Sequence, residues 1–528
     1  MSVPLINFLV LPVLSAACFI LSFPNYNVNF LAWVFLVPVF IGLRQDPQVP
    51  LISQKRRRGI FGAYIAGVLS FLGVIYWLTN VTVGGYIAVC LYLGLYFWFF
   101  ALIIEKFVRQ GRTVIFWAPC VWVALEFVRS KLITGFPWAL AGATQIAYLP
   151  LVQIAAVTGV WGVSFVVVLI NAFVFENLYA GVIKKEGVKD YKATLLAIVV
   201  VSYVLFSGWQ EMKPPKKAIE RIPFRISVVQ PDIDQEQKWD ARFRNFIFGR
   251  FRYLTYELKR SGPDLIIWPE SCMPGELRYD REIYDVVSGL VRFLDAPILL
   301  GSQDIEFGPE RRYYNAALLI HPKYKFLGQY NKLHLVPFGE YVPLGSSVPF
   351  MKKLTPIEAD FAPGNDYATF GIPQVTMLMQ GDRGEIVSHT KIVRFGVVIC
   401  FEDIFPDLVR RFAKHDLDFM VNITNDAWFK RTSAPFQHAY LSAFRAIENR
   451  IYLVRAANTG YSCVIDPYGR IIADVRDKND ETLFVPGHLT CEIASVRKKT
   501  LYNQFGDYFP IICCLISVLG LILVYKKK

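Results

Sequence analysis

Eight apolar runs constrain this chain more than any other feature of its sequence. They fall near residues 5–23, 27–43, 59–79, 84–104, 114–128, 159–180, 193–209 and 508–525. A helix needs about 20 mostly apolar residues to cross the hydrocarbon of a bilayer, and a backbone in lipid must satisfy its own polar groups, which a helix does. The runs therefore predict eight transmembrane helices, seven before residue 210 and one at the end. The fifth is short and carries Glu126, a carboxylate expected at the membrane interface. With 54% hydrophobic and only 19% charged residues, the chain is poorer in charge than soluble proteins, which run near about 25%.

The charges that remain are unevenly spread. Residues 221–500 hold 36 Lys and Arg against 34 Asp and Glu, whereas the rest holds 20 against 9, so most of the net +13 flanks the apolar runs. A nucleic-acid-binding domain concentrates its basic residues on the folded unit, so nucleic acid is not an expected partner. Short loops rich in Lys and Arg stay in the cytoplasm. Arg44, Lys55, Arg56, Arg57 and Arg58 follow the second run; Lys106, Arg109 and Arg112 the fourth; Lys184, Lys185, Lys189 and Lys192 the sixth; and Lys526, Lys527 and Lys528 the last. The short connections near 24–26 and 80–83 carry none, and 129–158 carries only Arg129 and Lys131. This asymmetry predicts cytoplasmic termini and an outer-face segment at 210–507, with Lys213, Lys216 and Lys217 a local exception offset by Glu211 and Glu220. Leu14-Ser15-Ala16-Ala17-Cys18 loosely matches a lipoprotein cleavage box, but no Lys or Arg precedes it. A cleaved signal has a basic start, so retention as a first span is expected.

Three parts follow: a seven-span domain at 1–209, an α/β domain at 221–500 and a closing span at 508–525. Within 221–500 the pattern shifts to short β-rich runs at Ile226–Gln230, Leu265–Trp268, Pro297–Gly301, Ala316–Ile320, Val397–Cys400, Phe419–Ile423 and Tyr452–Ala456. Helix-compatible stretches at Gln235–Lys259, Asp280–Leu294 and Gln437–Asn449 alternate with several of them, which predicts a layered α/β domain. Arg445–Arg450 has the composition of a charged helix end.

Of nine cysteines, Cys18, Cys90, Cys120, Cys513 and Cys514 lie in apolar runs, leaving Cys272, Cys400, Cys463 and Cys491. With no CxxC and no close Cys/His cluster, no metal site is expected, nor is any cofactor.

Three strand ends each deliver a reactive residue, where open α/β sheets commonly build their sites. Leu265-Ile266-Ile267-Trp268-Pro269-Glu270 is a strand stopped by proline with a carboxylate beyond it. Tyr330-Asn331-Lys332-Leu333-His334-Leu335-Val336-Pro337-Phe338-Gly339-Glu340 carries a lysine and a second acid. Gly396-Val397-Val398-Ile399-Cys400-Phe401-Glu402 is a buried strand ending in a thiol. Such chemistry is coherent: a thiol attacks an acyl carbon as thiolate, a carboxylate takes its proton, and a fixed cation stabilises the oxyanion. A Cys–His pair using His334 or His438 is the alternative, and Cys272 is a rival nucleophile.

Taken together, the three contexts resemble the nitrilase (carbon–nitrogen hydrolase) superfamily, in which Glu, Lys and Cys occur in this order. With the flanking runs, the whole chain resembles the apolipoprotein N-acyltransferase family of bacterial inner membranes. Further matches are Val229-Gln230-Pro231 with Lys238-Trp239-Asp240, then Pro337-Phe338-Gly339-Glu340-Tyr341-Val342-Pro343 and Thr424-Asn425-Asp426-Ala427-Trp428-Phe429. The resemblance implies an αββα nitrilase-like domain on the periplasmic side. It implies a catalytic triad of Glu270, Lys332 and Cys400, supporting acids Glu340 and Glu402, and Trp239 on a substrate-side lid. Phe401 stands where the family often has Tyr, so a hydrogen bond from that ring is in doubt. The implied reaction takes a fatty acyl chain from a membrane phospholipid onto the cysteine and passes it to the α-amine of a diacylglyceryl apolipoprotein. Its partners are that phospholipid donor, that acceptor and the bilayer. A membrane-tethered amidase acting on small amides is the second enzyme reading. A transporter or receptor with a non-catalytic domain is disfavoured by the intact Glu/Lys/Cys set and by the scarcity of charge within the spans. The 129–158 segment, with Phe136-Pro137-Trp138 and Gly142, reads either as a lining of lipid entry or as a re-entrant loop.

Overall fold

A computed structural model describes residues 9–44, 54–177, 191–213, 223–342, 360–380, 386–495 and 498–526. Lys184, Lys185, Lys189, Lys216, Lys217, Glu220, Pro343, Lys527 and Lys528 lie outside the described residues, as do the first residues of the first apolar run. Two compact units emerge: Met1–Pro214 with Thr432–Glu448 and Thr500–Lys528, and Pro215–Arg431 with Asn449–Lys499.

Helix occurs in every predicted apolar window of the first unit: Leu11–Leu21, Val37–Leu43, Gln54–Val74, Val83–Arg109, Val114–Lys131, Val160–Val174, Tyr191–Glu211 and Tyr508–Tyr525. Among the described residues, Val83–Arg109, Val160–Asn177 and Tyr191–Glu211 are long and apolar enough to cross a membrane. The window at 27–43 is not the single helix expected. A 3-10 turn at Asn29–Trp33 precedes the short helix Val37–Leu43, which carries Pro38 in its first turn. Proline has no N–H to give and its ring crowds the carbonyl four residues back, so it favours the first turn of a helix, where no such bond is due. Asn171 satisfies the interrupted backbone, accepting from Leu36 N at 2.8 Å and donating to Ala32 O at 2.7 Å.

Burial of aromatic rings holds these helices together. Trp122 meets Phe35, Phe97 and Phe100 edge-on with centroids 5.4, 5.0 and 5.1 Å away, near the separations at which aromatic quadrupoles attract. Glu126 lies near the C-terminal end of helix Val114–Lys131. It is buried, accepting from Trp122 Nε1 at 2.9 Å and from Ala141 N at 2.8 Å. Arg129 is buried one turn later, donating to Trp138 O and Ala139 O. Those contacts fold the 129–158 segment inward, and Trp138 donates through Nε1 to Gln437 at 2.7 Å within the same unit. The charged run at Arg445–Arg450 closes helix Ala434–Asn449, as its composition predicts, and its charged side chains are buried. Arg445 pairs with Glu448 at 2.9 Å, and Glu448 accepts from Val160 N. Buried charges persist only when paired and hydrogen-bonded, a condition set by residues distant in sequence.

The second unit contains two six-stranded sheets. Strands β1 (Pro223–Gln230), β2 (Leu265–Ile267), β3 (Ile298–Glu306), β4 (Arg312–His321) and β5 (Lys325–Asn331) form the first with β12 (Gly487–Ala494), in the order β12-β1-β2-β3-β4-β5. Strands β6 (Thr369–Gln380), β7 (Ile386–Ile399), β8 (Phe419–Thr424), β9 (Tyr452–Ala457), β10 (Cys463–Ile465) and β11 (Ile471–Asp474) form the second, in the order β11-β10-β9-β8-β7-β6. In each sheet three central strands run parallel (β1-β2-β3 and β7-β8-β9) with antiparallel neighbours outside. The parallel strands, with the antiparallel β4, are the apolar runs seen in the sequence, since strands covered on both faces lose their alternation. Helices Arg244–Glu257 and Arg281–Leu294 bury Phe251, Leu254, Val287 and Val291 in a core shared with Trp268, Leu300 and Leu318. Phe370, Phe395 and Phe419 stack across β6, β7 and β8, and Phe224 of the first sheet meets Phe419 at 5.7 Å. The stretch 235–259 is broken into Gln235–Lys238, a 3-10 turn at Ala241–Phe243 and Arg244–Glu257, because Asp240 turns back to accept from Arg242 N.

Candidate active site

The carboxylate arrives first. β2 runs fully buried into Trp268, whose ring lies 4.5 Å from Phe251, and Pro269 then ends the strand. The turn that follows is laid against β3: Gly301 N donates to Pro269 O, and Cys272 N to Gly301 O. A Cβ on Gly301 would stand 2.5 Å from Ser271 N and 2.6 Å from the Glu270 Cα, so only glycine admits the turn here. Glu270 is consequently buried, 7% exposed, with its carboxylate facing the end of β4.

Lys332 follows β5 and is 1% exposed. Its backbone is pinned on both sides, N to Asn315 O and O to Gly364 N. Its Nζ lies 2.9 Å from Glu340 Oε1 and 3.6 Å from Glu270 Oε1. Asn315 on β4 donates through Nδ2 to the same two oxygens, at 2.7 Å to Glu270 and 2.8 Å to Glu340. One ammonium and one amide thus hold two acids side by side, and Val336 N fixes the other Glu340 oxygen at 2.8 Å. Burial works to lower the pKa of Lys332, but Glu340 and Glu270 outweigh it and hold the ammonium firmly charged.

The thiol sits where β7 turns into the 3-10 segment Cys400–Ile404, with the Cys400 backbone at φ +55°. A non-glycine residue in the left-handed region is uncommon and often marks a functional turn. Asn422 Nδ2 holds the turn through Cys400 O at 2.8 Å. Glu402, fully buried beneath it, accepts from Ile399 N (2.7 Å), Leu333 N (2.7 Å), His334 N (2.9 Å) and Tyr330 OH (2.9 Å), so one carboxyl ties the lysine-bearing strand end to the thiol-bearing one. Burial pushes Glu402 up to about 7, against the pull of Lys332 and these donors. Burial and the Glu270 carboxylate push the Cys400 thiol up, while Lys332 draws it back. The resting group is therefore a thiol that needs a base when it attacks.

Phe401 places its ring 5.5 Å from Lys332 Nζ and beside His334 and Phe405. The missing hydroxyl thus leaves a cation–π contact in place. His334 is packed 4.1 Å from the Phe405 ring, and His438 belongs to the other unit, against Trp138. Cys272 is 3% exposed, donates its Sγ proton to Gly301 O and is pushed by burial up to about 12. Trp239 is 47% exposed, whereas its neighbour Lys238 is buried and donates to Glu270 O at 3.1 Å. Asn425 and Asp426 serve as scaffold: Asn425 donates to Gln235 at 2.7 Å, and Asp426 stands 3.5 Å from Arg455, which also pairs with Asp403 at 2.7 Å. Asn315, Tyr330, Lys238 and Arg455 were not legible as site residues. Only Tyr330 and Lys238 fell inside a motif, and Asn315 falls just before the apolar run at Ala316–Ile320.

Two family models match the chain: the apolipoprotein N-acyltransferase N-terminal domain over residues 15–173 and the carbon-nitrogen hydrolase over residues 225–488. The apolipoprotein N-acyltransferase of Geobacter metallireducens is 33% identical over 98% of this chain and 95% of its own length. Apolipoprotein N-acyltransferase 2 of Treponema denticola is 32% identical over 78% and 77%. Among solved structures, an amidase of the nitrilase superfamily from Nesterenkonia AN1 shares 18% identity over 56% of this chain and 95% of that one, with a TM-score of 0.36. By the extent of both models and the full-length similarity to these relatives, the chain belongs to the apolipoprotein N-acyltransferase family.

Proposed function

We propose that this protein moves a fatty acyl chain from a membrane phospholipid to the N-terminal amine of a diacylglyceryl apolipoprotein, through a thioester on Cys400. The observation that carries the reading is the buried cluster in which Lys332 and Asn315 clamp the Glu270 carboxylate while Glu402 joins the segment that bears Lys332 to the cysteine turn. In the first step Glu270 takes the thiol proton as sulfur attacks the ester carbonyl, with Lys332 stabilising the oxyanion. Collapse expels the glycerol oxygen, which takes the proton from Glu270 and leaves as lysophospholipid. In the second step the acceptor amine attacks the thioester, gives its proton to Glu270, and the expelled Cys400 sulfur recovers it. Glu340 and Glu402 position Lys332 and Cys400, Phe401 packs against the lysine, and Trp239 meets the lipid substrate on the open side.

The domains of this reading are 1–209, 221–500 and 508–525, with eight spans in a bacterial inner membrane. The 15 basic residues gathered on one side support cytoplasmic termini and a periplasmic catalytic domain. That arrangement brings the thiol to the leaflet where both lipid substrates lie. Reconstituted protein given phospholipid and a diacylated lipopeptide tests the reaction. Equal amounts of lysophospholipid and triacylated peptide are expected; ammonia release from small amides without lysophospholipid supports an amidase instead.

A further inference from the structure

Lys238 is a charged residue beside the site that the mechanism leaves unused. It ends the short helix Gln235–Lys238 and is 3% exposed, while Trp239, next in sequence, is among the exposed aromatics. The segment bearing both is fastened at several points. Asn458 accepts from Ile233 N through its side chain, donates to Ile233 O at 2.7 Å and accepts from Asp232 N through its carbonyl, and Asn425 donates to Gln235. At its far end the Lys238 Nζ donates to Glu270 O at 3.1 Å, gripping the backbone of the residue whose side chain faces Lys332. Lys332 is committed to two carboxylates, whereas Lys238 is bonded to a neutral carbonyl and keeps its charge uncompensated by a close ion pair.

We propose that Lys238 is a positioning residue for acyl transfer: it fixes the Glu270 turn, adds a second positive charge to the space shared by Glu270 and Cys400, and latches the Trp239 segment to that space. The inference rests on the roles proposed above for Glu270 and Cys400. The titratable groups that act on Lys238 are Glu270, Cys272 and Cys400. Burial pushes Lys238 down to about 8, and those three groups partly restore it. A lysine whose folded value lies below its ordinary one is held charged at a cost to stability at neutral pH. With the bond to Glu270 O holding the ammonium beside the site, loss of its charge above about pH 8 should weaken the site.

The test measures formation of the Cys400 thioester by peptide mass spectrometry in the full-length enzyme, from neutral to alkaline pH, with thermal melting in parallel. Wild type should slow on the alkaline side with a midpoint near 8. Lys238→Met should lower the neutral rate by about tenfold or more, lose that alkaline fall and melt no lower than wild type. Lys238→Arg should recover part of the rate, also without the fall, and carries the test if the methionine variant does not fold. A Lys238→Met enzyme with the wild-type rate and alkaline fall overturns the proposal. So does one that loses melting temperature and rate together while the fall persists, which is packing alone. A wild type that never carries acyl on Cys400 overturns the parent reading and this one with it, a result distinct from either.

Discussion

One methyl group at Gly301 tests how tightly the site depends on the packing of its carboxylate turn. In Gly301→Ala the new Cβ meets Ser271 N at 2.5 Å, the Glu270 Cα at 2.6 Å and Pro269 O at 2.8 Å, all backbone atoms that no rotamer change can move aside. An ordinary contact lies near 3.4 Å or beyond, so the Glu270 turn must retreat by about 0.9 Å. Such overpacking costs about 1–3 kcal/mol. The larger effect falls on chemistry, because Glu270 leaves an amide at 2.7 Å and an ammonium at 3.6 Å. A misplacement of about 1 Å can cost roughly 100-fold in rate. The assay is single-turnover formation of the Cys400 thioester beside thermal melting. Gly249→Ala is the control: it lies in helix Arg244–Glu257 with nothing within 4 Å of an added Cβ, and should gain up to about 1 kcal/mol from helix propensity. A Gly301→Ala enzyme that acylates at the wild-type rate refutes the dependence of catalysis on this turn.

Asn315→Leu removes the donor shared by Glu270 and Glu340; hydrogen bonds to charged groups are worth about 1.5–3 kcal/mol each, so the thioester rate should fall at least about tenfold. An unchanged rate discards the amide clamp. Cys272→Ala should keep full transfer activity, because that thiol is buried and bonded to Gly301 O; loss of the thioester in this variant revives the rival nucleophile. For topology, impermeant maleimide applied to intact spheroplasts of a cysteine-depleted protein should label Asn479→Cys, on an exposed turn of the second unit, and not Arg109→Cys. The reverse labelling inverts the orientation.

The parts of the site that were legible in the sequence are those that local chemistry announces. An apolar run stopped by Pro269, with Glu270 beyond, states both the strand and where it ends, and the run into Cys400 does the same. Strands β5, β6, β10, β11 and β12 carried no such signal. β11 and β12 are partly exposed, and β5 mixes polar and apolar residues, so neither a buried run nor a clean alternation marks them. The burial of charge was less legible. Glu126 read as an interfacial group and Arg445–Arg450 as a charged helix end, and the backbone donors that Glu126 and Glu448 meet, Ala141 N and Val160 N, become neighbours only through folding. Asn315 was missed because it falls just before the apolar run at Ala316–Ile320, although β4 begins at Arg312 and includes it.

The most direct measurement is the covalent intermediate itself. Protein incubated with phospholipid in the absence of acceptor, then digested and weighed, should carry one fatty acyl group on the peptide containing Cys400. That group should be labile to hydroxylamine, discharged by added diacylated lipopeptide, and missing from Cys400→Ala. Transfer that proceeds with no acyl group ever found on Cys400 contradicts the account at its centre.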